Sequence, residues 1–225
     1  MNTRQKPAVW TTGHKVAFAS FLVIQVSVAY MIGVNHWLPN DAQSLIPPIG
    51  ITAVIPVAAF VFSYWLMPSF RSFVLAQDIR LLTAVQLWRV VGLAFLLLYA
   101  LNYLPALFAL PAGLGDVAVG LTAFYVLTRM DRDPDFVTSS GYVGFQLMGL
   151  LDFVVAIVTS GLAAGAYPNL SPAGLTSAPM DVWPLNIFPS FIVPMFIILQ
   201  LAALLKVREM RRTEQGRPSG MLRPI

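Results

Sequence analysis

Apolar residues run along the chain in long blocks, separated by shorter stretches that contain charged residues, proline or glycine. A helix needs roughly 20 mostly apolar residues to cross the hydrocarbon core of a bilayer, and each block is close to that length. The pattern therefore predicts an all-α fold, a bundle of six transmembrane helices. The blocks cover residues 16–34, 46–67, 81–103, 112–129, 142–161 and 182–206.

The composition agrees with a chain that is dissolved in lipid. Of its 225 residues, 57% are hydrophobic and only 11% are charged, whereas a soluble domain typically carries about 25% charged residues. The length suits one membrane domain and leaves little room for a soluble one. Cysteine is absent, which excludes disulfides, thiol nucleophiles and metal sites built from cysteine.

Lysine and arginine fall in alternate gaps between the apolar blocks. The protein has 14 of these residues, and all except Arg89 lie in the N-terminal segment, the second and fourth connections, or the C-terminal tail. Connections rich in lysine and arginine stay in the cytoplasm. We therefore expect a cytoplasmic segment over 1–15, a transmembrane domain over 16–207 in the plasma (inner) membrane, and a disordered cytoplasmic tail over 208–225.

Three formal charges, Arg89, Asp116 and Asp152, lie well inside the blocks. Each costs at least ~2.5–3.5 kcal/mol at a helix centre, so such residues normally face the bundle interior and find partners. Arg89 and Asp152 enter from the cytoplasmic side to similar depths, roughly 12–15 Å, which predicts an ion pair. Asp116 is expected roughly 6 Å below the outer boundary. It reaches the pair only if a broken stretch over 104–114 dips inward.

Polar and small residues accompany these charges at helical spacing. Small residues let helices approach closely, and polar side chains form hydrogen bonds between them. We therefore expect the third, fourth and fifth helices to pack around a polar seam, and we expect prolines to kink the sixth. The candidate ligand or proton site comprises Arg89, Asp116, Asp152, Gln86, Gln146, Asn186 and Gln200.

Two interpretations of the seam remain open. In the first, it binds or translocates a small polar or anionic ligand, an ion or a proton. In the second, the protein is a structural or accessory subunit whose charges hold helices together. The expected partners are the lipid bilayer and an unidentified small ligand or membrane protein. Nucleic acid is not expected, because the positive charge lies in short connections and tails.

Catalytic, metal and cofactor sites are not expected either. The predicted topology places the only two histidines, His14 and His36, on opposite sides of the membrane. A haem held by both is therefore excluded, and no phosphate-binding loop is present.

One short motif resembles a family of membrane enzymes. Gly113-Leu114-Gly115-Asp116 is similar to the G-x-G-D motif of presenilin-like and prepilin-type intramembrane aspartyl proteases. There, two membrane aspartates share a proton and activate water. The resemblance implies that Asp152 would be the second aspartate. In those families the other aspartate precedes the motif, whereas Asp152 follows it.

A longer pattern extends over residues 86–200. It resembles a group of uncharacterised bacterial integral membrane proteins with six spans. The resemblance implies a recurring architecture and carries no activity. The pattern comprises Gln86-x-x-Arg89-x-x-Gly92, Pro111-Ala112-Gly113-x-Gly115-Asp116, Asp152-Phe153 and Pro189-x-x-x-x-Pro194.

The alternation of charge predicts which connections lie outside. Reporter fusions after Asn40, Leu110 and Ala173 should report an external location. Fusions after Arg71, Asp133 and Arg217 should report a cytoplasmic location. Paired reporters, one active in each compartment, make this measurement. A single inverted connection would refute the topology.

Overall fold

The computed structural model describes residues 12–38, 48–165 and 174–215, and the description below is confined to them. These residues are helical and contain no strand, which confirms the predicted all-α class. The α-helices are α1 (Thr12–Asn35), α2 (Ile51–Leu66), α3 (Pro68–Ala76), α4 (Ile79–Ala84), α5 (Leu93–Ala100), α6 (Ala106–Arg132), α7 (Ser140–Leu162) and α8 (Val193–Gln215).

Five continuous helical segments of this part of the chain are long and apolar enough to cross a membrane. A shorter apolar helix, Ala19–Asn35, lies within α1. Apolar side chains also dominate the exposed surface, as expected for helices that face lipid. The five segments are Pro48–Leu66, Ile79–Ala100, Ala106–Arg132, Ser140–Leu162 and Phe188–Gln215. Together these features indicate a membrane-embedded protein.

Helix α6 begins earlier than the sequence predicted. The prediction placed its start at residue 112 and a break over 104–114, but the helix runs without interruption from Ala106 through Pro111. Packing explains the difference, because Ala109 is fully buried beside Leu104 in an apolar cluster. Burial of the first turns stabilises a helix that a proline alone would weaken.

The last apolar helix is displaced relative to the predicted span 182–206. Turns occupy the residues before Phe188, a π-helical segment spans Phe188–Ile192, and α8 then continues to Gln215. The prolines of this region therefore lie in the turns, in the π segment and at the start of α8, where few α-helical hydrogen bonds are lost.

The predicted disordered tail is also partly wrong, because residues 208–215 are helical. Arg211 Nε donates to the carbonyl of Thr138 at 2.8 Å, and its Nη2 donates to that of Ser139 at 2.9 Å. These charged hydrogen bonds attach the end of α8 to the connection between α6 and α7. Residues 216–225 of the predicted tail, and 1–11 of the predicted N-terminal segment, lie outside the described residues.

Apolar clusters surround the middle of the bundle. One joins α5, α6 and the residues around Met180, a second joins α6, α7 and α8, and a third joins α2, α3, α4 and α8. Helix α6 packs against α7, α5 and the segment between α4 and α5. It is therefore the central element, and it carries Asp116.

Replacing Arg211 tests the attachment of α8. We expect Arg211→Gln to free the end of the helix, so that cleavage after Glu209 or Glu214 by a glutamate-specific protease becomes about tenfold faster or more. Arg212→Gln, at the neighbouring exposed arginine, is the matched control and should leave the rate unchanged. Equal rates for the wild type and Arg211→Gln would show that these hydrogen bonds do not hold the helix.

Candidate functional site

One guanidinium group connects three helical segments at the centre of the bundle. The side chain of Arg89 is completely buried. Its Nε donates to Asp116 Oδ1 at 2.7 Å, its Nη1 donates to the carbonyl of Gly149 at 3.2 Å, and its Nη2 donates to Asp152 Oδ2. Arg89 therefore bridges a carboxylate of α6 and both a carboxylate and a backbone carbonyl of α7.

The helix that carries Arg89 changes geometry around it. Residues Val85–Gly92 form a 3₁₀-helix between α4 and α5, where the sequence predicted a regular α-helix. Side chains three residues apart align in a 3₁₀-helix, whereas they drift around the axis of an α-helix. The polar series at this spacing is consequently held on one buried face. It consists of Thr83, Gln86, Arg89 and Gly92.

Glycines provide the space in which these charged side chains lie. A Cβ atom added at any of three glycines would collide with a neighbouring side chain of the site, so the close approach requires glycine there. The three are Gly92 against Asp116, Gly115 against Asp152, and Gly149 against Arg89 and Gln200.

Asp116 lies deeper than the sequence predicted. Because α6 starts at Ala106, Asp116 falls in the third turn of the helix rather than beside its first residue. This position brings its carboxylate to Arg89 without any break in the backbone. The expectation of an Asp116 isolated near the outer boundary is therefore wrong.

Two aromatic rings complete the surroundings of the guanidinium. The Arg89 guanidinium carbon lies 3.9 Å from the ring centroid of Phe153 and 5.9 Å from that of Phe196. A cation over an aromatic face is stabilised electrostatically, most strongly where water is excluded. The sequence pattern predicted this role for neither residue. The only signal was the position of Phe153 directly after Asp152.

All three charged residues of this cluster line a cavity. This cavity has a volume of about 70 Å³, and Arg89, Asp116 and Asp152 lie in its otherwise mainly apolar wall. The side chains of Asp116 and Asp152 are 15% and 9% exposed, whereas that of Arg89 is 0% exposed. A small species that enters the cavity therefore meets two aspartate side chains that are more exposed than the arginine.

The charges of this cluster do not balance. Two carboxyl groups share one guanidinium, which leaves one formal negative charge among these three groups when both carboxyl groups are ionised. An uncompensated charge in a water-excluded environment is costly. The cluster is therefore suited to take up a proton on one carboxylate or to bind a cation.

The remaining predicted site residues divide into two groups. Gln86 and Gln200 are buried, and within the described parts of the chain their amide atoms have no hydrogen-bond partner. Gln200 lies beside Gly149, close to the guanidinium. The amide of Gln200 is thus available to a species that enters the cluster.

Gln146 and Asn186 form hydrogen bonds elsewhere. Gln146 donates to the hydroxyl of Tyr142 at 2.9 Å, and that hydroxyl pairs with Thr83 at 2.8 Å. Asn186 donates to the carbonyl of Ala29 at 2.6 Å and so connects α1 to the turns before α8. Gln146 therefore supports the contact of Tyr142 with α4 from within α7, Asn186 joins α1 to the turns before α8, and neither forms a hydrogen bond with the charged cluster.

Comparison with known proteins identifies the family. A family model described as a domain of unknown function (DUF8737) matches residues 46–208, so the chain belongs to this family. The matched segment includes every residue of the charged cluster and its cavity, whereas α1 precedes it. No curated protein and no solved structure matches the chain. Family membership assigns no activity.

Charge balance predicts an order of stability among variants. Arg89→Met leaves two buried carboxylates without their guanidinium, and losing one partner of a buried ion pair costs about 3–5 kcal/mol. The triple variant Arg89→Met with Asp116→Asn and Asp152→Asn removes the charges together. We expect it to lose less stability than Arg89→Met. Midpoints of thermal unfolding in detergent measure the difference. A triple variant as unstable as Arg89→Met would show that Arg89 does not compensate the charge of the two carboxylates.

Proposed function

We propose that the protein is a multi-pass plasma (inner) membrane protein with six spans and both termini in the cytoplasm. We further propose that it binds a proton or a small cation at Asp116 and Asp152. The five long apolar helices and the apolar segment Ala19–Asn35 of α1 support six spans. The alternation of lysine and arginine between connections supports the orientation.

The sharing of one guanidinium by two carboxylates carries this proposal. Arg89 already donates to three acceptors and has no exposed surface. An anion would have to displace a carboxylate from Arg89 and would then face the repulsion of the other. A proton or cation instead neutralises the cluster from the cavity side. Among the ligands that the sequence left open, the geometry therefore favours a proton or a small cation.

The helices around the cavity suggest how uptake affects the bundle. Both the 3₁₀ segment Val85–Gly92 and the π segment Phe188–Ile192 contribute residues to the cavity wall. Such departures from α-helical hydrogen bonding often mark functional hinges. A change in the charge of the cluster is expected to change the geometry of these two segments first, which is the step that translocation would require.

A structural role is the second candidate, and one observation favours it. Both carboxylates pair with the guanidinium of Arg89, and the guanidinium also packs on Phe153. In this role the cluster fixes α6 and α7 against the helix that carries Arg89. The cluster then binds no ligand. We do not propose the protease, because the paired aspartates of that mechanism share a proton, whereas Asp116 and Asp152 both bind Arg89.

The pH dependence of stability separates the two candidates. Deprotonation of the cluster leaves a net negative charge, so the midpoint of thermal unfolding should fall as the buffer changes from mildly acidic to mildly alkaline. Asp116→Asn leaves a neutral pair of Arg89 and Asp152. This variant should therefore fold, keep near-normal stability and lose most of the pH dependence.

An exposed carboxylate provides the control for this experiment. Asp131 pairs with Arg80 at the surface, where its side chain is 51% exposed, and Asp131→Asn should keep the pH dependence of the wild type. Full pH dependence in Asp116→Asn would refute proton uptake at this carboxylate. A wild type whose stability is unaffected by pH, lithium, sodium or potassium would favour the structural role.

A further inference from the structure

We propose that a second cavity, separate from the one beside the charged cluster, is a binding site for the phosphate group of an anionic phospholipid. This cavity has a volume of about 140 Å³ and lies between the end of α2, α3 and α8. The residues that line it include Arg71, Arg208, Arg212, Glu209, Tyr64 and Trp65. The proposal does not depend on whether Asp116 and Asp152 bind a proton or a cation.

The charge of this cavity fits a phosphate. Three guanidinium groups and one carboxylate line it, and Arg71 Nη2 contacts Glu209 Oε2 at 3.4 Å. That ion pair leaves two positive charges, on Arg208 and Arg212, which have no ion-pair partner among the described residues. A cavity with this excess of positive charge attracts an anion.

The spacing of the two unpaired arginines strengthens this argument. Arg208 and Arg212 lie four residues apart on α8 and therefore on the same face of the helix, where like charges repel. An anion held between them would convert this repulsion into attraction. The planar guanidinium fork donates two parallel hydrogen bonds to phosphate oxygens, which a lysine cannot do.

The wall of the cavity favours a lipid headgroup over free phosphate. Trp65, at the end of α2, is 61% exposed, and its neighbours Leu66 and Met67 are 76% and 51% exposed. Tryptophan is enriched at the level of the headgroups, and basic pockets between helices on the cytoplasmic side bind anionic headgroups. The orientation proposed above places this cavity on that side. A headgroup bound here would leave its acyl chains beside the apolar surface of α2.

The experiment uses the full chain in neutral detergent. One arm adds dioleoylphosphatidylglycerol in mixed micelles, a second adds dioleoylphosphatidylcholine, and a third adds inorganic phosphate. The readouts are the midpoint of thermal unfolding and the number of lipids retained in native mass spectrometry. We expect phosphatidylglycerol, but not phosphatidylcholine, to raise the midpoint of the wild type.

Arg208→Gln with Arg212→Gln removes the unpaired charges and keeps the ion pair of Arg71 with Glu209. This variant should bind phosphatidylglycerol about tenfold more weakly or worse. The matched control is Arg129→Gln with Arg132→Gln, which removes two exposed arginines from the end of α6, away from the cavity. It should bind like the wild type.

Glu209→Gln tests the same site by a gain of affinity. This test remains valid even if the double glutamine variant does not fold. Among the described residues, Glu209 is the only carboxylate that lines the cavity, and removing it should tighten phosphatidylglycerol binding. An effect of inorganic phosphate that the double variant abolishes would support the phosphate site and identify a soluble ligand. The same lipid affinity in the wild type, the double variant and Glu209→Gln would overturn the proposal, as would equal stabilisation by phosphatidylcholine.

Discussion

A guanidinium group in the interior of a membrane protein needs a hydrogen-bond acceptor for its donors, because the hydrocarbon core of the bilayer offers none. The centre of this bundle is arranged around that requirement for Arg89. Glycines at positions 92, 115 and 149 admit the carboxylates and the guanidinium, and the 3₁₀ segment aligns Arg89 with its buried polar neighbours. Removing any one of these features would leave a buried charge without part of its compensation.

Some of this arrangement could be predicted from the sequence. Long apolar blocks predicted the helices, because the requirement for apolar length is nearly independent of tertiary structure. Arg89 and Asp152 were expected at similar depths from the same side of the membrane, and this expectation predicted their ion pair. The sequence misplaces Asp116, because the prolines and glycines between 104 and 114 predict a helix that starts only at residue 112. The start of α6 is instead determined by packing around Leu104 and Ala109, which local sequence does not encode.

The buried amides show a second limit. The sequence identified Gln86, Gln146, Asn186 and Gln200 as polar residues inside apolar blocks, and all four are fully buried. Which group each one faces depends on the rotation of its helix and on its neighbours. Gln146 meets Tyr142, Asn186 meets the backbone of α1, and Gln200 lies near the cluster. Spacing within one helix places Gln146 beside Tyr142, but it contains no information about the contacts of Asn186 and Gln200 with other segments.

Helix α8 extends from the centre of the bundle to the connection between α6 and α7. Its 23 residues form a rod about 35 Å long. Near one end it places Phe196 against the guanidinium, and near the other Arg211 joins it to the connection between α6 and α7. A rod rotates as a unit, so any tilt that begins at the π segment before Val193 also displaces Arg208 and Arg212. Binding at the proposed proton or cation site and at the proposed lipid site would therefore both act on the orientation of this one helix.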